Sequence, residues 1–130
     1  MNGVAVVTGL ALLECFLFAA MVGRARSRYH VEAPATTGDP SFERYFRVHQ
    51  NSVESLVIFI PALWLFAMYV SSAIAVALGL IFIAGRIIYA AGYISAAEKR
   101  EPGALISGVI IAILLIGAVF GPIVGHFRAH

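Results

Sequence analysis

Residues 104–127 read ALISGVIIAILLIGAVFGPIVGHF, and no Lys, Arg, Asp or Glu interrupts them. A helix of that length rises about 36 Å, enough to cross the roughly 30 Å of hydrocarbon in a bilayer. Moving outward from this run, three more apolar stretches appear, at about 3–23, 41–70 and 72–98. The second begins polar and turns apolar after Ser55. Lipid offers no hydrogen-bond partner to a backbone, so each stretch is expected to be helical. The composition agrees: 61% of the 130 residues are hydrophobic and 12% are charged, whereas soluble domains carry about a quarter charged residues. The expected fold is all-α, an integral membrane four-helix bundle with antiparallel, up-and-down topology, forming one domain over residues 1–130.

The connections are unequal. Arg24–Pro40 reads as the long loop, with Pro40 suited to the first turn of the second helix and Asp39 to its cap. The turn at Ser71 is short, which makes helices two and three antiparallel neighbours. Pro102 and Gly103 are expected to break the chain between helices three and four. Arg24, Arg26, Arg28, Arg44, Arg47, Lys99 and Arg100 fall on one side of the membrane, and only Arg128 on the other. By the positive-inside rule the basic loops are cytoplasmic and both termini lie opposite, in a bacterial inner membrane or an endomembrane.

Polar residues intrude where lipid should be. Glu43, Arg47, Asn51 and Glu54 share one face of helix two, and Arg86, Tyr89, Tyr93 and Arg100 form a stripe from helix three. Counted from the Ser71 turn, Glu54 lies about 24 Å deep and Arg86 about 21 Å deep. A buried carboxylate and a buried guanidinium are thus expected at matching depth on adjacent helices, where a pair of them could simply orient the helices, with Asn51 and Tyr89 next and Arg47 and Tyr93 nearer the surface. Cations outnumber acids here, and guanidinium groups grip carboxylates in forked geometry, so the cleft suits an anionic ligand. Glu14 lies about 17 Å into helix one. It is open to pairing with Arg86, to protonation, or to binding a cation. The single Cys15 excludes an intrachain disulfide and has no metal-ligand spacing around it, so no metal is expected. No basic, aromatic-interleaved surface suggests nucleic acid.

Residues 42–54, FERYFRVHQNSVE, resemble the signature of the MAPEG family, membrane-associated proteins in eicosanoid and glutathione metabolism. Arg47, Asn51 and Glu54 meet its RxxxNxxE pattern. Arg86, Tyr89, Tyr93 and Arg100 are similar to its third-helix pattern, and Thr36-Thr37-Gly38 and Arg26 fit as well. The resemblance covers nearly the whole chain. It implies a homotrimer holding glutathione as co-substrate at subunit interfaces. Arg26 and Arg47 would grip its carboxylates; Asn51, Glu54, Arg86, Tyr89 and Tyr93 would hold the rest; Arg100 would act catalytically on the thiol. The implied enzyme is a glutathione transferase, with possible peroxidase activity, acting on a hydrophobic, lipid-like electrophile or a lipid hydroperoxide. Three departures stand out: Ser55 follows the motif Glu, where the leukotriene-forming branch has Tyr; Ser27 replaces an Arg beside Arg26; Ser95 replaces a third-helix Arg. Two alternatives compete. One is a small multidrug or proton transporter using Glu14. The other is a non-catalytic, lipid-binding scaffold on the same fold.

Overall fold

In a computed structural model describing residues 1–129, the chain forms four long helices: α1 (Asn2–Tyr29), α2 (Pro40–Tyr69), α3 (Ser72–Ser95) and α4 (Glu101–Ala129). A 3₁₀ turn, Ala97–Arg100, joins α3 to α4. All four spans are long and apolar enough to cross a membrane. The protein is an integral membrane four-helix bundle.

The helix ends follow from local chemistry. Asp39 caps α2, its carboxylate accepting from the Ser41 and Phe42 amides at 2.8 and 3.1 Å, and Pro40 fills the position where a missing N–H is harmless. Ser71 caps α3 by accepting from the Ile74 amide. Three boundaries differ from the sequence expectation. α1 does not stop near Gly23 but runs to Tyr29, because Arg26 and Arg28 favour the negative end of a helix and their heads can reach polar surroundings. The long loop therefore shortens to residues 30–39. α3 ends at Ser95, where Ala96 turns extended. α4 starts at Glu101, because Pro102 sits in its first turn, where proline needs no hydrogen bond.

The core lies between all four helices. Val4, Val7, Leu63, Phe66, Phe82 and Leu114 are buried there, and the rings of Phe59 and Phe82 stack at 3.8 Å. Trp64 donates its indole N–H to Thr8 Oγ1 (2.9 Å), and Thr8 passes its own hydrogen to the Val4 carbonyl. As residue numbers fall along α2 they rise along α3: Phe59 meets Phe82, and Asn51 meets Arg86. The outward faces are apolar, with Phe16, Val57 and Leu105 each about 70% exposed. In water such a surface would aggregate; in lipid it is solvated.

One close approach positions the end of α4. A Cβ on Gly103 would overlap the backbone N and Cα of Tyr89, so only glycine lets α4 start against α3 there. Gly103→Ala is expected to lose about 2–3 kcal/mol of stability. Gly9→Ala, whose Cβ meets open space, should stay within about 0.5 kcal/mol. Thermal unfolding of both variants in detergent measures this; equal stabilities would show that α3 and α4 can shift apart freely.

Candidate functional site

Arg86 is the centre of the polar region. It lies on α3, is only 3% exposed, and crosses between two spaces. On one side its Nη2 donates to Asn51 Oδ1 on α2 at 2.6 Å. Its guanidinium carbon also sits 4.1 Å from the Tyr89 ring centre. A charged donor to an amide oxygen is a strong hydrogen bond, and a cation over an aromatic face adds to it. The contacts then climb α3: the Tyr89 and Tyr93 rings lie 5.6 Å apart, and the Arg100 guanidinium lies 5.4 Å from the Tyr93 ring. Asn51, Arg86, Tyr89, Tyr93 and Arg100 thus form one continuous ladder. The ladder opens into a crevice of about 280 Å³ among α2, α3 and α4, lined by Asn51, Arg86, Tyr89 and Arg100. Arg100 reaches it from the 3₁₀ turn, and its Nη1 also donates to the Ala97 carbonyl.

The far side of Arg86 faces a tight internal cleft lined by Glu14, Cys15 and Ser52. Glu14 Oε2, Ser52 Oγ and Arg86 Nε are buried there without a hydrogen-bond partner among the described residues. Three helices each bring a polar atom to this level, and the charge facing Arg86 across the cleft is Glu14. The expectation of a buried Glu54 beside Arg86 is therefore corrected. Glu54 is exposed. Ser52 faces inward, and Glu54 lies about 200° further round the helix at roughly 100° per residue. Helix phase, rather than depth, decides which carboxylate meets the guanidinium.

The remaining sequence candidates stand apart. Arg47 is exposed and donates to Gln50 Oε1 (3.0 Å). Arg26 folds back on its own helix end: its Nη1 donates to the Ala35 and Val31 carbonyls at 2.7 and 3.4 Å, and its guanidinium lies 4.9 Å from the Phe42 ring. Glu43, expected on the same face as Asn51, accepts instead from the Gly38 amide and holds the loop. Sequence reasoning also missed the α4 wall of the crevice, which Ala104, Ser107, Gly108 and Ile111 supply. The signal was Ser107, a lone hydroxyl in an apolar run. It is buried and donates to the Gly103 carbonyl (2.8 Å).

Chemically, the crevice presents two guanidinium groups, an amide and a phenol beside an apolar α4 wall. That set suits an amphipathic anion and leaves room for an apolar molecule next to it. Among the described residues no group of three or more His, Cys, Asp or Glu is placed to hold a metal ion.

Comparison with known proteins shows what the chain is similar to. The profile of the MAPEG family matches residues 4–120. An uncharacterized protein of Synechocystis is 46% identical over 115 residues, covering 88% of this chain and 84% of that protein. Human microsomal glutathione S-transferase 2 is 44% identical over 116 residues, covering 88% of this chain and 79% of its own. Leukotriene C4 synthase of Cavia porcellus is 34% identical over 123 residues, covering 95% and 81% respectively.

The two α2 side chains are separable by experiment. Asn51→Ala strips a buried guanidinium of its acceptor and is expected to lower stability by about 1.5–3 kcal/mol. Glu54→Gln, at an exposed position, should change it by no more than about 0.5 kcal/mol in the absence of ligand. Thermal unfolding without ligand tests the pair, and a larger loss in Glu54→Gln would contradict the assignment of Arg86's partner.

Proposed function

The chain belongs to the MAPEG family, and from that premise we propose that it is a membrane-bound glutathione transferase that holds the glutathione thiolate for attack on a hydrophobic electrophile. The observation that carries this reading is the ladder from Asn51 through Arg86, Tyr89 and Tyr93 to Arg100, beside an apolar wall. Relatives named glutathione S-transferase and leukotriene C4 synthase support it.

Glutathione has two carboxylates, an ammonium and a thiol. A free thiol titrates near 8.5 and is mostly protonated at neutral pH, while the thiolate is the nucleophile. In this reading Arg100, mounted at the crevice on the 3₁₀ turn, sits beside the sulfur and favours its anionic form. Arg86, Asn51, Tyr89 and Tyr93 orient the peptide; Arg47 and Arg26 take the carboxylates; Glu54 takes the ammonium. The sulfur lone pair forms the S–C bond as the carbon's bond to its leaving group, or its π bond, breaks. With a lipid hydroperoxide, the thiolate takes the terminal oxygen and releases an alcohol after protonation. A second glutathione then converts the sulfenic acid to the disulfide and water. The electrophile enters from lipid along Ala104, Gly108 and Ile111.

Arg26, Arg47 and Glu54 lie outside the ladder of a single chain, and this supports a homotrimer with glutathione between copies. An acid or base facing hydrocarbon costs at least about 2.5–3.5 kcal/mol. A neighbouring subunit with a bound zwitterion would relieve Glu54 of that cost. Sidedness follows the basic loops: the glutathione site faces the cytoplasm, and the helix ends near Met1 and Arg128 face the other side.

One observation favours a transporter instead: the buried, unpartnered Glu14 carboxylate oxygen within the spans. The two readings separate cleanly. In purified protein, glutathione should give saturable thiolate absorbance and turnover of a generic aromatic electrophile. Arg100→Ala should lower kcat about 100-fold, in line with loss of one group stabilising a reacting anion. Arg47→Ala should raise KM about tenfold and leave kcat nearly unchanged. Glu14→Gln should change conjugation by less than about threefold, whereas a proton-coupled transporter would lose function. Well-folded protein that binds no glutathione would overturn the enzyme reading; binding without thiolate or turnover would point to a scaffold.

A further inference from the structure

The basic end of the bundle divides into two kinds of arginine. Arg26, Arg44, Arg47 and Arg100 each direct a guanidinium N–H to an oxygen of the protein. Arg24 and Arg28 do not: among the described residues neither makes a hydrogen bond or an ion pair. Arg28 has only the neighbouring Tyr29 ring, 5.3 Å from its guanidinium carbon. Both are exposed. Their spacing of four puts them on one face of α1, where like charges repel unless something negative lies between them. Arg26 lies about 200° round the helix from Arg24 and so addresses a different surface.

This face is a formed cup. Arg24 and Arg28 line a cavity of about 210 Å³ with Ala25, Met21, Tyr29 and Tyr45. Tyr29 and Tyr45 come from different helices, and their rings lie 6.5 Å apart, which ties the wall of the cup to α2. No acidic residue lines it. Two guanidinium groups and two phenols therefore offer donors with no carboxylate to match the two charges. Directly below, on the same stripe of α1, Leu17 and Leu13 are 51% and 52% exposed. From Arg24 to Leu13 the helix descends about 16 Å, close to the depth of one leaflet.

We infer that this cup binds the phosphate headgroup of an anionic phospholipid, with an acyl chain lying along Leu17 and Leu13. The two guanidinium groups take the phosphate oxygens in forked hydrogen bonds, and the tyrosine hydroxyls reach the ester or glycerol oxygens. Net negative charge is selected because the cup contains no carboxylate to meet a choline or ethanolamine cation. Basic pockets between transmembrane helices at the positive side recognise headgroups on these terms. The apolar track beneath distinguishes a lipid from a free phosphate ion. The inference is independent of glutathione: it uses neither Arg86 nor Arg100.

Native mass spectrometry of the full-length protein, released from detergent with phosphatidylglycerol or phosphatidylcholine, tests the cup. Wild type is expected to retain about one phosphatidylglycerol per chain, with about a tenfold preference over phosphatidylcholine. Arg24→Gln/Arg28→Gln should lose that preference while unfolding at the wild-type temperature. Arg24→Lys/Arg28→Lys, which keeps the charge but not the fork, should lose most of it. Arg44→Gln/Lys99→Gln, which removes two charges from the same end outside the cup, should keep it. Equal retention of both lipids overturns the inference, as does an equal loss in the Arg44/Lys99 control, which would mean diffuse attraction only. Displacement of the lipid by millimolar inorganic phosphate would also overturn it, by marking a free-anion site.

Discussion

A guanidinium within the membrane must find its partners among neighbouring helices, and Arg86 is where this protein meets that demand. Its hydrogen bond to Asn51 joins α3 to α2. The cleft behind it brings in Glu14 from α1 and Ser52 from α2. The cost of a charge at this depth is several kcal/mol if unmet, so the bond to Asn51 holds helix rotation as well as charge. Once α2 and α3 are fixed in phase by that bond, the rings above follow. Tyr89 packs under the guanidinium, Tyr93 packs on Tyr89, and Arg100 caps the series. The ladder of side chains and the register of α2 on α3 thus rest on one interaction.

The placement of Arg100 depends on a second constraint, the closeness of backbones at the top of α3. A Cβ at Gly92 would overlap the Lys99 carbonyl, and one at Gly103 would overlap Tyr89. These two glycines let the 3₁₀ turn fold back over α3 and let α4 begin against it. Without that return, Arg100 would lie on a loose interfacial loop. With it, Arg100 shares a crevice with Arg86, whose helix ends several residues earlier. In the proposed transferase such placement would matter, because the electrostatic effect of a charge on a reacting atom is greatest when no reorganisation is needed.

The four spans, the Asp39 cap and the stripe on α3 were legible in the sequence because each depends on local chemistry: apolar length, a side-chain acceptor before a proline, and helical spacing. What sequence spacing cannot say is which neighbour a face meets. Depth matched Glu54 to Arg86, but a rotation of about 200° separates Glu54 from the inward-facing Ser52, and the facing carboxylate came from α1. Arg26 was read as a ligand residue from the family pattern; within the chain its guanidinium closes the end of α1 through the Ala35 and Val31 carbonyls. The α4 wall was hidden because Ala104 and Gly108 look like ordinary small residues of a span. Only Ser107 stood out, and its hydroxyl is taken by the Gly103 carbonyl.

The same reasoning separates charges that serve the protein from charges that serve its surroundings. A basic residue at a membrane interface has a default explanation in topology, so its presence says little. Its hydrogen bonding says more. Arg26, Arg44, Arg47, Arg86 and Arg100 each already donate to an oxygen of the chain, which fixes where the guanidinium stands whether or not a ligand joins it. Arg24 and Arg28 fix nothing, yet they stand in a shaped cavity with ordered aromatic walls. A cavity between helices that is lined by unmatched donors and continued by an apolar track is complementary to one class of molecule abundant at that depth, an amphiphile with an anionic head. Topology alone would require the two charges; it would not require the cup.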